Sequence, residues 1–304
     1  MWFKNLRLYR FTETFSLTPD ALGSALEKFS FQPCGSLDLA RYGWVPPLGR
    51  HGSEYVHAAN GYIMICAKRQ EKILPAAVVN ETLEQKIVEI GEDEGRSVGR
   101  KERQTLKDEV IFSLLPKAFT KSSLDYAYIA PRDGLLVVNS ASAKRAEDLL
   151  SALREALGSL KVIPVSPRHT PTQMMTHWVA TAETPTDFEL GDECELKAGK
   201  DGRVIRCRNQ DLTANEIRSH IEAGMFVNRL ALTWKDAIHC IVDDQIAVKR
   251  LKFEDTIQDK AEERNPESAA EQFDVDFAVM TLELSVFIAA LLSAFGGEDT
   301  SDSE

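Results

Sequence analysis

Apolar side chains alternate with polar ones over residues 2–8, the two-residue period of a β-strand, and residues 15–17 stay extended before a helix opens. Thr18 suits the N-cap of that helix, Pro19 its first turn, and Ala21, Leu22, Ala25, Leu26 and Phe29 its buried stripe. Residues 31–47 are rich in glycine and proline and end in the stiff, extended Trp44-Val45-Pro46-Pro47. An unbroken apolar run over 62–67 follows the Asn60-Gly61 turn and predicts one strand of a hairpin. A matching unit returns after Asp133-Gly134, with a strand over 135–139 and a helix over 143–157 that Gly158 stops.

Between these two modules the period becomes helical. Val78, Val79, Leu83, Ile87 and Ile90 predict a helix over 75–90, and residues 105–115 a second one ended by Pro116. Gly91, Gly95 and Gly99 lie among charges in a mobile connection, so the order describes a helical finger inserted into an α/β body. Pro164, Pro167 and Pro171 then punctuate a linker-like segment. Beyond it, strands are predicted at 202–208, 230–242 and 246–253, with Asp243-Asp244 as a turn. A short helix over 213–222 opens on a Thr213/Glu216 capping box, and a long helix covers 273–295. The fold class is α+β: residues 1–74 and 122–165 form a central α/β region, 75–121 the helical finger, and 166–304 a C-terminal α+β base.

The 304 residues are 43% hydrophobic and 27% charged, enough to bury a core, and the formal net charge of -11 argues against coating a polyanion by bulk charge. That average hides an uneven distribution. From Glu254 onward 14 acidic side chains meet only Lys260 and Arg264, whereas Arg96, Arg100, Lys101, Arg103, Lys107, Lys117 and Lys121 lie among only three acids, Glu102, Asp108 and Glu109. Arg203, Arg206 and Arg208 form a second basic cluster, and Lys249, Arg250 and Lys252 a third. Strand alternation puts Arg206 and Arg208 on one side, continued by Gln210, and does the same for Arg250 and Lys252. A joint basic face and a solvated sheet surface balanced by the acidic tail both satisfy this pattern. The tail itself, with Glu298, Asp299, Asp302 and Glu304, reads as a disordered solubilising end.

The five cysteines are widely spaced without a CxxC pair, and no apolar leader precedes them, which predicts reduced thiols in the cytoplasm. The apolar stretch over 275–295 is broken by Asp276 and Glu283 and reads as a buried helix, so no membrane partner is expected. No nucleophile elbow, phosphate-binding glycine loop or HExxH stands in the chain. His51 and His57 with Cys34 or Cys66 lack zinc-finger spacing, His177, His220 and His239 occur singly, and Asp243-Asp244 lacks a third acid. No catalytic residue, metal or cofactor is therefore expected.

Read in order, Trp2-Phe3-Lys4-Asn5-Leu6, Phe31-Gln32-Pro33-Cys34-Gly35-Ser36, Gly43-Trp44-Val45-Pro46-Pro47, Glu71-Lys72-Ile73-Leu74-Pro75, Leu106-Lys107-Asp108-Glu109-Val110, Leu114-Leu115-Pro116-Lys117-Ala118-Phe119, Ala141-Ser142-Ala143-Lys144-Arg145-Ala146-Glu147-Asp148, Gln210-Asp211-Leu212-Thr213, His220-Ile221-Glu222-Ala223-Gly224 and Leu251-Lys252-Phe253 resemble the bacterial recombination-associated protein RdgC family from end to end. The resemblance implies a non-enzymatic, nucleoid-associated protein that binds double-stranded DNA with little sequence preference and restrains the RecA recombinase, with single-stranded DNA as a second candidate ligand. It also implies a horseshoe-like monomer that closes as a ring-shaped homodimer around DNA. The family's finger-tip aromatic at the dimer interface matches Phe119, and its DNA-facing positions match Arg96, Arg208 and Gln210, whereas Asn209 stands where some relatives carry Lys. The alternatives are a metal-dependent DNA-processing enzyme and an inhibitor that contacts RecA directly without a DNA role, its acidic tail from Glu298 to Glu304 mimicking DNA charge.

Overall fold

The computed structural model describes residues 1–199, 202–262 and 266–299. Its first sheet is built from β1 (Arg7–Phe11), β2 (Ala40–Val45), β3 (Val56–Ala59), β4 (Tyr62–Lys72), β5 (Thr120–Ala130), β6 (Leu135–Val138) and β7 (Val162–Pro164), in the antiparallel order β2-β4-β5-β6-β1-β7 with β3 added on β4. Helices α1 (Pro19–Glu27) and α4 (Ala143–Leu157) cover one face, where Leu22, Leu26, Leu149 and Leu153 pack on Ile63, Ile65, Ile129 and Val138. Both were legible from their ends. The Thr18 hydroxyl accepts the Ala21 N–H at 3.2 Å, and Gly158 leaves α4 in the left-handed region at φ 75°.

Inserted between β4 and β5 are α2 (Ala76–Glu94) and α3 (Arg100–Leu114), an antiparallel hairpin with its own small core of Val79, Leu83, Leu106 and Val110. The second helix begins at residue 100 rather than 105, because its first turn is wholly polar and carries no apolar signal. Arg100, Lys101 and Arg103 consequently stand on a helix and not in a mobile connection. Gly91 lies inside α2, and Gly95 closes it at φ 63°.

The C-terminal half contributes α5 (Pro171–Thr181), β8 (Phe188–Ala198), β9 (Val204–Cys207), α6 (Asn215–Glu222), β10 (Met225–Trp234), β11 (Ile238–Asp243), β12 (Val248–Phe253), α7 (Asp255–Glu262) and α8 (Ala269–Ala294). Its sheet has the order β12-β11-β10-β8-β9. The strand expected over 230–242 is a hairpin, since Lys235 and Asp236 adopt φ 52° and 51°, the double left-handed turn that matches strand twist. The expected capping box is also absent: Thr213 turns its hydroxyl to Asp211 at 2.7 Å, and α6 starts two residues later.

Helix α8 lies between the sheets. Phe277 meets Tyr128 of the first sheet at 6.3 Å between rings, while Phe287 meets Phe188 at 6.4 Å and Trp234 at 5.7 Å on the second. The helix is long and apolar enough to cross a membrane, but most of its apolar residues are buried by this sandwiched position, with Leu282 and Val286 left exposed on its outer side. The N-terminus joins the layers: Leu6 exchanges backbone hydrogen bonds with Val248 at 2.8 and 3.0 Å before β1 enters the first sheet. This switch between sheets explains why the alternation over residues 2–8 does not form one strand.

Two expected loose segments are tied down. Strand β7 and the buried Pro171 occupy the linker-like stretch, and Glu298 pairs with Arg10 while the Asp299 N–H reaches Ser166 O at 2.8 Å. Asp302 and Glu304 lie outside the described residues. One glycine in β2 is required by close approach, since a Cβ on Gly43 would lie 2.6 Å from the Phe31 Cα. Gly43→Ala is expected to cost about 1–3 kcal/mol by overpacking, read as a lower melting temperature.

Candidate nucleic-acid interface

The outer face of the second sheet gathers cations around two glutamates. Glu195 on β8 is directly opposite Arg206 on β9 and Arg229 on β10, and it accepts from Arg206 Nε at 2.7 Å with Arg229 Nη1 at 3.6 Å. Glu193 receives Arg250 at 2.7 Å and Arg208 at 3.5 Å. With Lys249, these arginines line a shallow cavity of about 140 Å³. Five cations thus share a surface with the buried Glu195 and Asp243 and the half-buried Glu193, leaving it cationic; Arg206, Arg208 and Arg250 are each more than 60% exposed at the side chain.

Irregularities of the sheet, rather than plain alternation, produce this convergence. The β8/β10 register shifts between Val227 and Arg229, which turns Arg229 outward beside Glu195 although Val227, two residues earlier, is buried, and Arg250 sits at φ 50° in a bulge of β12. Arg250 and Lys252 are both exposed with Leu251 buried between them, as alternation expects, and the bulge adds Lys249 to that side. Lys252 pairs with Glu254 at 3.0 Å, away from the arginine cluster, and Glu254 also receives His239 Nε2 at 2.9 Å. The Lys252 ammonium holds the Glu254 carboxyl below its ordinary range. Gln210 does not continue β9, because Asn209 turns the chain at φ 51° and the Gln210 N–H donates to Asp192 O at 3.1 Å. Arg229 was missed in the sequence, and Lys249 was read as part of the third basic cluster but not as a member of the shared strand face. The strand carrying Arg229 was expected to begin one residue after it, and only the bulge brings Lys249 into the group.

The hairpin carries the second basic surface. Arg96 grips Glu102 with both terminal nitrogens at 2.7 Å and Glu94 through Nε at 2.6 Å, closing the loop between α2 and α3. This bidentate bond holds the Glu102 carboxyl below the usual carboxylate range and raises the Arg96 guanidinium. Arg103 pairs across the hairpin with Glu84. Arg100, Lys101, Lys107, Lys117 and Lys121 form no ion pair with any described residue, and all but the half-buried Lys107 are exposed.

Phe119 stands at the root of the hairpin and not at its far tip. Its carbonyl accepts the Ile73 N–H at 2.8 Å, where the chain leaves for α2 and returns from α3, while its side chain belongs to a residue 84% exposed. The exposed surface of Ile73 lies on the neighbouring chain segment.

Among the described residues no group of three His, Cys, Asp or Glu side chains is arranged to hold a metal ion. Of the two acids considered for such a role, Asp243 has structural partners: its carboxylate accepts the N–H groups of Gln245 and Ala247 at 3.0 and 2.9 Å and pairs with Lys249 at 2.7 Å. His57 pairs with Asp274 at 3.1 Å against Phe273 and Phe277, and burial lowers its pKa.

Comparison with known proteins extends over this whole architecture. A family model described as "RdgC: Putative exonuclease, RdgC" matches residues 1–298. The recombination-associated protein RdgC of Aeromonas hydrophila is 44% identical over 302 residues, covering 99% of this chain and 100% of that protein. Its namesake from Pseudomonas aeruginosa is 46% identical over 301 residues, 98% of each chain, and that of Yersinia enterocolitica is 45% identical over 299 residues, 98% of this chain and 99% of that one. With a full-length family match and relatives of this identity aligned nearly end to end, the chain belongs to the RdgC family of recombination-associated proteins.

Proposed function

We propose that this protein binds double-stranded DNA without reading its sequence and, acting at the nucleoid, restrains RecA during homologous recombination. The observation that carries the reading is the convergence of Arg206, Arg208, Arg229, Lys249 and Arg250 on one sheet face. Arg100, Lys101, Lys107, Lys117 and Lys121 on and beside the hairpin supply a second set of cations. Such side chains neutralise phosphates and release counterions, giving affinity without base discrimination. A net charge of -11 does not oppose this, because screening confines each charge to about 8 Å at physiological salt. A homodimer closed as a ring would add topological retention, with Arg96 holding the shape of the hairpin and Phe119 at the contact between subunits. Single-stranded DNA is a weaker ligand in this reading, held by the same phosphate contacts.

Fluorescence anisotropy with unrelated duplexes tests it. Affinities are expected to agree within about tenfold, and log affinity to fall steeply with log salt between roughly 50 and 200 mM. A strongly preferred site, or binding indifferent to salt, would refute the reading. The enzymatic alternative takes its support from the word exonuclease in the family description. Incubation of end-labelled duplex with magnesium separates the two: degradation that stops on chelation, and follows the protein through purification, favours the enzyme.

A further inference from the structure

Of the five cysteines, Cys194 and Cys207 are the two that the sheet places opposite each other, one on β8 and one at the end of β9. The Ala198 N–H donates to Arg203 O at 2.9 Å, and hydrogen-bonded pairs recur at every second residue along an antiparallel ladder. Cys194 and Cys207 therefore form a hydrogen-bonded pair, with a Cα separation of about 5.5 Å. A disulfide requires a Cα separation of about 4.4–6.8 Å, which this pair meets, and a Cβ separation of about 3.5–4.5 Å, which asks the two strands to draw together by about 1 Å. Residues paired in this way project to the same side of the sheet. Here it is the inner side: Cys194 is 2% exposed within the core, and the half-buried Cys207 packs against that core.

We propose that Cys194 and Cys207 form an oxidisable dithiol that peroxide closes to an intramolecular disulfide, fastening the edge strand that carries Arg206 and Arg208. Cys207 is the accessible partner, so its sulfur takes one oxygen from hydrogen peroxide, becoming a sulfenic acid as the peroxide is reduced to water. The Cys194 sulfur then bonds to the Cys207 sulfur, and the sulfenic oxygen leaves as a second water with the remaining two hydrogens. Two thiols and one peroxide give one disulfide and two waters. Burial, together with the neighbouring Cys207 thiol, pushes the Cys194 thiol up to about 12, so it enters the reaction as a thiol and the condensation sets the pace.

The consequence follows from the topology. Strand β9 has four residues and a single neighbour in the sheet, β8, so its position rests on one ladder. A covalent bond at the end of that ladder removes the openings that let β9 leave, while Arg206 and Arg208, on either side of Cys207, keep their places at the cationic face.

The test treats the folded, full-length protein with hydrogen peroxide and maps its peptides before and after reduction. The expected product is smaller by two hydrogens, links the peptides of Cys194 and Cys207, and returns to the dithiol with a thiol reductant. Cys34→Ser should still form it, whereas Cys207→Ser should not. Hydrogen exchange of the β9 amides should slow by about tenfold or more in the oxidised protein. The assignment is overturned if peroxide leaves both thiols unchanged, carries Cys207 to a sulfinic acid beside an intact Cys194, or links either cysteine elsewhere or to another chain. It is also overturned if the disulfide forms without slowing exchange in β9. Duplex affinity of the reduced sample reads the DNA-binding function independently: failure there alongside a formed disulfide removes that function and leaves the dithiol standing.

Discussion

Replacing Arg206, Arg208 and Arg229 together by alanine is expected to lower affinity for duplex DNA by about a hundredfold, taking about 1 kcal/mol for each charge-assisted hydrogen bond to phosphate. The loss should be uniform across unrelated sequences, and the slope of log affinity against log salt should shrink by about one unit per phosphate no longer neutralised. A change at Glu195 should act in the opposite direction. That carboxylate holds Arg206 at 2.7 Å and Arg229 at 3.6 Å, so it competes with phosphate for both. Glu195→Gln removes one negative charge from the face while keeping an acceptor for the arginines, and affinity should rise by about threefold, the worth of a modest exposed ion pair. Thermal melting and circular dichroism must show each variant folded, because Glu195 itself is largely sequestered. A folded triple variant with unchanged affinity and slope would place this sheet outside the DNA path and leave Arg100, Lys101, Lys107, Lys117 and Lys121 as the candidate surface.

The contrast between these arginines and their acidic partners marks how far the sequence could be read. Helices α1 and α4 announced themselves through Thr18, Pro19 and Gly158, whose cap chemistry is local. Strand β5 did not, because its outer half, Thr-Lys-Ser-Ser, is polar and only Ala127–Ala130 lie in the two-sided core. Strand β8 escaped for a similar reason: Glu189, Asp192, Glu193 and Glu195 give it the look of an acidic surface loop, and its partners lie far along the chain. Helix α5 was hidden by the proline that starts it, which reads equally as punctuation or as a first-turn residue. The candidate interface suffered most. Cation clusters were visible as short runs of Lys and Arg, but their shared face depends on the register shift before Arg229 in β10 and on the bulge in β12, neither of which a strict two-residue period contains. Long-range register, not residue type, decided which positive charges meet.

Phe119→Ser is expected to weaken self-association by about thirtyfold, corresponding to about 2 kcal/mol for an aromatic anchor at an interface, while leaving the fold of the subunit intact. The two halves of this expectation come from one observation. The Phe119 backbone is fixed by the bond from Ile73 at 2.8 Å, yet the residue is 84% exposed, so its ring contributes little to the core of its own chain. Truncating an exposed side chain of this kind changes stability by about 0.5 kcal/mol or less. Ile73, 46% exposed beside it, extends the apolar surface at the root of the hairpin. Sedimentation velocity across a concentration series measures the association directly, and competitor challenge on closed circular against linear duplex measures what association does for retention. If subunits close around DNA, the wild type should leave a closed circle more slowly than a linear fragment, and the serine variant should lose that difference before it loses affinity for short duplexes. Unaltered dimerisation in the folded variant would remove Phe119 from the interface. Equal retention of the wild type on both DNA forms would remove the ring itself, leaving the cationic sheet to act as an open platform whose occupancy is set by phosphate contacts and salt alone.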